Sequence, residues 1–227
     1  MFLDELRTLL YPPTCVSCGK GTSEICSRCE SALTPCIDLR YIEGKPLYSA
    51  LHYTDISAHL ILAAKESNDR AAARYLAELM AMRFSRLHRE CGFSHYTIVP
   101  VPSSKAADHR RGYAHMDLLA KLFAREISQQ YPITCTVYSA LSPQRSIADQ
   151  SRLTARERAE NIHGAFAFKR VPHKLREDSG IVVVDDLVTT GSTMREAMRA
   201  LKAGSIEPVA LLSACLAGRF LTNKIGA

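Results

Sequence analysis

Apolar residues along the chain follow two spacings, one typical of strands and one typical of helices. Short apolar runs predict strands at residues 47–53, 96–101, 133–137, 165–168, 181–184 and 207–213. Apolar residues at helical spacing predict helices at residues 55–66, 70–90, 117–129 and 192–203, and a short amphipathic helix over residues 1–10. Strands that alternate with helices predict a parallel sheet covered by helices on both faces.

The bulk composition is that of an ordinary globular protein. The chain has 227 residues, of which 47% are hydrophobic and 23% are charged. No apolar run approaches the roughly 20 residues that a membrane-spanning helix needs. Asp4 and Glu5 lie where a signal peptide would be basic, so we expect a cytoplasmic protein. The formal net charge of +6 suits a phosphate-rich ligand or a nucleic acid without choosing between them.

Two Cys-x-x-Cys pairs lie close together near the start of the chain, one at Cys15 and Cys18 and the other at Cys26 and Cys29. Each such turn can direct two sulfurs toward one ion, and four thiolates complete the tetrahedral shell of a structural Zn²⁺. A redox or disulfide pair is the alternative. Cys36 is either a spare ligand or a small buried residue.

Turn-forming residues after the cysteines, from Thr34 to Pro46, indicate a linker. We therefore divide the chain into an N-terminal helix and zinc ribbon, residues 1–45, and an α/β domain, residues 46–227. Bound metal would stabilise the ribbon, because so short a segment cannot form a sufficient core of its own.

The most informative segment is the apolar strand at 181–184 together with the polar residues after it. Asp185 and Asp186 end the predicted strand, and a bend of small residues leads into a helix. The bend consists of Thr189, Thr190, Gly191, Ser192 and Thr193. Backbone N–H groups, hydroxyls and a helix N-terminus suit a phosphate, and paired carboxylates can accept hydrogen bonds from ribose hydroxyls. The alternative is an ordinary turn in which a hydroxyl residue caps the helix.

This segment resembles the PRPP-binding motif of the type I phosphoribosyltransferases, in which a hydrophobic strand leads to two acids and a Thr-x-Gly-x-Thr-like loop. The resemblance implies that Asp185 and Asp186 are the catalytic acids facing the ribose hydroxyls, and that residues 189–193 bind the 5′-phosphate. It also implies Mg²⁺, bridging the pyrophosphate and the ribose hydroxyls of PRPP. The sequence contains neither a Walker A motif nor a Rossmann glycine motif.

Two basic segments suit the pyrophosphate of such a ligand. The first follows the strand at 96–101 and contains Lys105, Arg110 and Arg111. The second, residues 142–161, is polar and too long for a plain connection, so we expect a mobile hood that carries Arg145 and Arg158. A solvated basic helix start and a solvated arm are the respective alternatives. Three nearby histidines are interpreted as surface or packing residues, with acid–base chemistry as the alternative: His109, His115 and His163.

The segments 99–114 and 145–166, added to the cysteine pairs and the PRPP motif, make nearly the whole chain similar to the ComF family (the ComFC/GntX type). The resemblance implies an α/β fold of the type I phosphoribosyltransferase class, with a mainly parallel sheet flanked by helices and a small N-terminal zinc-ribbon module. It also implies a role in DNA uptake during natural transformation. The family usually has Arg-Gly-Phe-Asn-Gln where residues 111–115 read Arg-Gly-Tyr-Ala-His, so both amides are lost here.

Three functions remain open from the sequence. In the first, the protein binds PRPP or a related phosphorylated ribose and handles single-stranded DNA alongside proteins of the DNA-uptake machinery. In the second, it is an active phosphoribosyltransferase that transfers the pentosyl group to an unidentified nitrogenous base. In the third, it is a regulatory or scaffolding module that works through the zinc ribbon. Aromatic residues make up only 7% of the chain and Trp is absent, so stacking platforms for single strands are few.

Overall fold

The structure is a computed structural model that describes residues 14–20, 24–103, 105–144, 162–169 and 178–218. The side chains of residues 105 and 106 are outside this description. The predicted helix over residues 1–10 also lies outside the described residues, as do Arg145, Arg158 and most of the predicted hood.

Strands and helices alternate along the described part of the chain. The strands are β1 (Arg40–Ile42), β2 (Lys45–His52), β3 (His95–Pro100), β4 (Thr134–Val137), β5 (Leu141–Pro143), β6 (Phe166–Phe168), β7 (Ser179–Val188) and β8 (Ala210–Leu216). The helices are α1 (Ser27–Ser31), α2 (Asp55–Glu66), α3 (Arg70–Cys91), α4 (Lys105–Arg111), α5 (His115–Gln130) and α6 (Ser192–Ala203). None of the described helices combines the length and the apolar character that crossing a bilayer requires.

A six-stranded sheet forms the centre of the fold, in the order β1-β2-β8-β7-β3-β4. β1 is antiparallel to β2, and every other neighbouring pair in this sheet is parallel. β5 and β6 form a separate antiparallel pair. The predicted mainly parallel sheet flanked by helices is therefore confirmed.

The central strands are buried on both faces, because helices cover each side of the sheet. On β7, Val182 and Val184 pack in the core formed with α2, α3 and α5, whereas Val183 packs in the core formed with α6. A continuous apolar run is typical of such a strand.

Local capping interactions determine where the two helices after β2 begin and end. Thr54 and Ser57 form a capping box at the start of α2, and Asp69 accepts hydrogen bonds from two N–H groups in the first turn of α3. Gly92 follows the last residue of α3, and its φ of 68° lies in the left-handed region that glycine tolerates best. Both helices thus begin and end within a residue or two of their predicted bounds.

β7 continues past the predicted end of its strand at Val184, because its pairing with β8 extends to Val188. Its pairing with β3 ends at Val184. The acid pair therefore lies inside a strand, where successive side chains point to opposite faces. Asp186 faces the side of α2 and α5, because Lys65 on α2 and His115 on α5 lie beside its carboxylate.

The cysteine segment is attached firmly to the α/β domain along α3. The Tyr75 hydroxyl donates a hydrogen bond to Glu30 at 3.1 Å. The Arg83 guanidinium donates to the backbone carbonyls of Ile37 and Asp38 at 3.0 and 3.1 Å. The predicted linker also contains β1, which extends the central sheet beside β2. We therefore expect changes in the cysteine segment to affect α3.

Candidate ligand site and cysteine cluster

A crevice opens at the carboxyl ends of β3 and β7. The long helix α5, which comes after β3 in the chain, packs on one face of the sheet, whereas α6, which follows β7, packs on the other face. Ligands of open α/β sheets bind at such a change of face, outside the carboxyl ends of the strands. A cavity of about 560 Å³ lies at this edge.

The cavity is lined by both polar and apolar residues. The polar ones are Lys65, Glu66, Ser103, Asp185, Asp186, Thr189 and Thr193. The apolar and aromatic ones, which we call the apolar wall, are Tyr53, Ala58, Ile61, Leu62, Val101, Pro102, Met116 and Leu187. The structure thus brings both predicted acids and two of the predicted phosphate-binding threonines together around one cavity.

The bend after β7 is shaped by Gly191, which has a φ of 75° and forms the N-cap of α6. The N-cap is a glycine and makes no side-chain cap hydrogen bond, so neither Ser192 nor Thr193 is the N-cap of this helix. The hydroxyls of Thr190 and Ser192 lie 2.8 Å apart. The N–H of Ser192 donates to the Thr190 hydroxyl at 3.4 Å. Among the described residues, no acceptor is found for the other N–H groups of the bend. The N–H groups of the bend can therefore serve a phosphate.

The two acids have unequal surroundings. Asp186 Oδ2 lies 2.8 Å from Lys65 Nζ on α2 and 3.4 Å from His115 Nε2 on α5. Asp185 accepts the N–H of Asp186 at 2.9 Å, and within the described ranges it forms no salt bridge. The charge of Asp186 is thus offset by the Lys65 ammonium, whereas Asp185 has no such partner among the described residues.

These surroundings move the two pKa values in opposite directions. Burial raises the pKa of Asp185 well above its usual range, and the negative charge of Asp186 adds to the effect. Burial acts in the same sense on Asp186, but the Lys65 ammonium and His115 hold the pKa of that carboxyl below its usual range. The charge of Asp186 in turn raises the pKa of Lys65. Asp186 is therefore the more persistently ionised of the two acids.

Sequence reasoning did not identify Lys65 as a site residue, and it interpreted His115 as a surface or packing residue. The His115 side chain is fully buried beside Asp186. The Tyr113 hydroxyl shares its one hydrogen between the carbonyls of Ala64 and Lys65, at 2.5 and 2.8 Å. Residues 111–115 therefore connect the end of α2 to the acid pair.

The predicted pyrophosphate residues are only partly described. Arg110 is exposed. The Arg111 guanidinium is buried between Asp108, at 2.9 Å, and Glu66, at 3.4 Å, so its charge is already neutralised. The side chain of Lys105 lies outside the described residues, as do Arg145 and Arg158. A pyrophosphate role for these five residues stays a prediction.

The sulfurs of Cys15, Cys18, Cys26 and Cys29 all lie within 4.8 Å of one another. Those of Cys18 and Cys26 are 3.8 Å apart, which matches two ligands that are each about 2.3 Å from a tetrahedral Zn²⁺. None of the four cysteines is in a disulfide. Cys36 is buried outside the group. The cluster therefore fits the predicted four-cysteine zinc site.

Comparison with known proteins supports the same fold. A family model described as a phosphoribosyl transferase domain matches residues 122–219. The Competence protein F of Haemophilus influenzae is 27% identical over 209 residues, which cover 87% of this chain and 82% of that protein. The DNA utilization protein YhgH of Escherichia coli is 28% identical over 213 residues, which cover 88% and 89%. The Competence protein ComFC of Bacillus subtilis is 23% identical over 205 residues, which cover 87% and 77%.

The predicted resemblance to the ComF family is confirmed, because relatives named for competence and DNA utilization match most of the chain. Its type I phosphoribosyltransferase fold, with an N-terminal four-cysteine cluster, is thereby confirmed. Among solved structures, a hypoxanthine phosphoribosyl transferase of Trypanosoma cruzi aligns with a TM-score of 0.37 at 14% identity, covering 68% of this chain and 69% of that chain.

Proposed function

We propose that the cavity at the ends of β3 and β7 binds PRPP or a related phosphorylated ribose. The observation that carries this proposal is that Asp185, Asp186, Thr189 and Thr193 all line one cavity. The N–H groups and hydroxyls of the bend would hold the 5′-phosphate. Asp185, which has no salt bridge among the described residues, would accept hydrogen bonds from the ribose hydroxyls. Asp186 would mainly keep its salt bridge with Lys65.

The residues around the cavity also fit the Mg²⁺ that accompanies PRPP. Mg²⁺ usually binds through one or two carboxylates together with phosphate oxygens of the substrate. Asp185 and Asp186 would hold it, and it would supply positive charge for the pyrophosphate. We also propose that Cys15, Cys18, Cys26 and Cys29 hold one structural Zn²⁺.

Ribose 5-phosphate should bind more tightly than 2-deoxyribose 5-phosphate. A charge-assisted hydrogen bond from the 2′-hydroxyl to a carboxylate contributes about 1.5–3 kcal/mol, which corresponds to an affinity difference of about 10- to 100-fold. Isothermal titration calorimetry of both sugars against the same protein measures the difference. Equal affinities would show that the acids do not contact the 2′-hydroxyl, even if the phosphate binds in the bend.

The names of the relatives support a role of this protein in DNA uptake and the handling of single-stranded DNA. Three relatives that cover most of the chain are named for competence or for DNA utilization. The net charge of +6 favours contact with phosphate backbones, which makes binding depend on salt. The predicted partners in this role are single-stranded DNA and proteins of the DNA-uptake machinery.

Fluorescent single-stranded DNA and PRPP with Mg²⁺, each titrated at two salt concentrations, separate the DNA role from sugar-phosphate binding. The protein is compared with an Asp185→Asn/Asp186→Asn double variant. DNA binding that falls steeply with salt and ignores the double substitution places the strand outside the cavity. Loss of both ligands in the double variant places the strand end in the cavity. A wild-type protein that binds no DNA would contradict the DNA role.

A second candidate function is transfer of the pentosyl group to a nitrogenous base, and the apolar wall of the cavity favours it. Tyr53 and Leu62 line this wall and remain 44% and 51% exposed, although a sugar phosphate offers little apolar surface to cover them. In the transfer, a lone pair of the acceptor nitrogen would form a bond to C1 of the ribose. The C1–O bond would break, and its electron pair would leave with the pyrophosphate.

Tyr53→Ala tests whether a base lies on this wall. Stacking of a base on an aromatic ring contributes about 1–3 kcal/mol, so the variant should bind nucleoside 5′-monophosphates about 10-fold more weakly. Its affinity for ribose 5-phosphate should not change. Tyr41→Ala is the matched control, because Tyr41 is 46% exposed on β1, outside the cavity lining. If Tyr53→Ala weakens the binding of nucleoside 5′-monophosphates and of ribose 5-phosphate equally, the base does not stack on Tyr53.

A further inference from the structure

Lys65 places a positive charge inside the cavity. Its ammonium group lies 2.8 Å from Asp186 Oδ2, and its side chain remains 34% exposed. The backbone carbonyl of Lys65 accepts a hydrogen bond from the Tyr113 hydroxyl at 2.8 Å, which fixes the last turn of α2 beside the acids. An ammonium group has three N–H donors, and the donor that contacts Asp186 uses one of them. The charge is therefore both held in place and accessible from the cavity.

Lys65 offsets part of the negative charge that lines the cavity. Asp185 and Asp186 are adjacent, and both are buried. Glu66 also lines the cavity, and it shares the Arg111 guanidinium, which is 3.4 Å away, with Asp108 at 2.9 Å. With Lys65 the acid pair and its counter-ion carry a net charge of about −1 when both acids are ionised, and without it they carry about −2. A second uncompensated carboxylate would repel a phosphorylated ligand.

We propose that Lys65 serves as a built-in cation, which takes at this acid pair the charge-compensating role that a divalent metal ion otherwise has. A phosphorylated ribose without a pyrophosphate can then bind in the absence of Mg²⁺. This inference rests on the proposed function, because it concerns the same sugar-phosphate site. Pyrophosphate brings further negative charge, so the Mg²⁺ expected with PRPP remains compatible with it.

A second ion pair in the protein provides a control. Lys45 Nζ lies 2.8 Å from Glu207, and its side chain is 28% exposed, so the pair resembles Lys65–Asp186 in length and in exposure of the lysine. Lys45 is outside the lining of the sugar-phosphate cavity. Lys45→Met removes an ion pair of similar geometry without changing the charge at the acids.

The test is calorimetric titration of ribose 5-phosphate in EDTA and again in Mg²⁺. The proteins compared are wild type, Lys65→Met, Lys65→Arg and Lys45→Met. In EDTA, we expect wild type, Lys65→Arg and Lys45→Met to bind similarly, and Lys65→Met to bind about tenfold more weakly or worse. In Mg²⁺, Lys65→Met should recover most of that affinity, because the ion replaces the missing charge. This recovery also shows that the variant is folded.

Three results would overturn the inference while leaving the proposed function intact. They are a wild-type protein that needs Mg²⁺ to bind ribose 5-phosphate, a Lys65→Met variant that binds like wild type in EDTA, and a Lys65→Met variant that Mg²⁺ does not rescue. A wild-type protein that binds neither ribose 5-phosphate nor PRPP under any of these conditions would overturn the proposed function and the inference together.

Discussion

Asp185→Asn is expected to raise the melting temperature of the protein while weakening its binding of ribose 5-phosphate. The Asp185 carboxyl is buried without a salt bridge among the described residues, and its pKa is raised by burial and by Asp186. An amide of the same shape removes the cost of the buried charge, so we expect a gain of about 1–2 kcal/mol. That gain corresponds to roughly 2–4 °C in Tm for each kcal/mol at this chain length.

Asp186→Asn is expected to have the opposite effect on stability. This substitution leaves Lys65 without its carboxylate and removes the charged neighbour of the buried His115. Breaking a fully buried ion pair costs about 3–5 kcal/mol. Because a third of the Lys65 side chain is exposed, solvent screens part of this loss, and we expect about 2 kcal/mol. Thermal unfolding of both variants measures the contrast, and a shift of the same sign in both would contradict it.

The pH dependence of the two variants should differ as well. Because the folded pKa of Asp185 is raised, the folded state binds more protons than the unfolded state between the ordinary carboxyl pKa and the raised value. Stability from this group therefore falls as pH rises through that window, and the advantage of Asp185→Asn over wild type should be larger at pH 7 than at pH 4. The pKa of Asp186 is lowered, so its contribution is present above the unfolded value and is lost as pH falls through the folded one.

Removal of zinc should produce the largest change in stability. Structural Zn²⁺ contributes apparent free energies of about 10–16 kcal/mol to small cysteine modules at neutral pH. A strong chelator should therefore unfold the cysteine segment. It should also lower protection from hydrogen exchange along α3, because Glu30 and the Ile37 carbonyl contact Tyr75 and Arg83 on that helix. Hydrogen-exchange mass spectrometry before and after chelation measures both effects.

Two cysteine variants separate loss of metal from loss of packing. Cys29→Ser should lower the zinc content from one ion per chain to much less than one, measured by mass spectrometry of the metal. Cys36→Ser places a hydroxyl at another buried position, outside the four-sulfur group, and should keep a full equivalent of zinc. Loss of zinc in the Cys36 variant would mean that the ligand set differs from the predicted one.

Features with a regular period were predictable from the sequence. The structure has α3 at Arg70–Cys91 and α6 at Ser192–Ala203, close to the predicted bounds, because a helix buries residues at a fixed spacing that the sequence displays. The end of β7 was not predictable in this way. The strand continues through Asp185 and Asp186 to Val188 because β8 supplies hydrogen-bond partners. Cross-strand pairing of this kind leaves no local pattern.

The acid pair was evident from the sequence, but its surroundings were not. Lys65 is 121 positions before Asp186 and comes from the last turn of α2. Only the stacking of α2 and α5 over β7 brings Lys65 and His115 to the same carboxylate. The local signal was His115 itself, in the Arg-Gly-Tyr-Ala-His run. Interpreting it required knowing that α5 begins beside the acids.

A crystal structure of the protein with PRPP and Mg²⁺ tests the central claim most directly. We predict density for the 5′-phosphate against the N–H groups of residues 189–193, with the ribose hydroxyls in contact with Asp185 and the Lys65–Asp186 pair retained. Density for the sugar phosphate at any other place in the molecule would contradict the assignment of this cavity, and so would an empty cavity in crystals grown at saturating ligand.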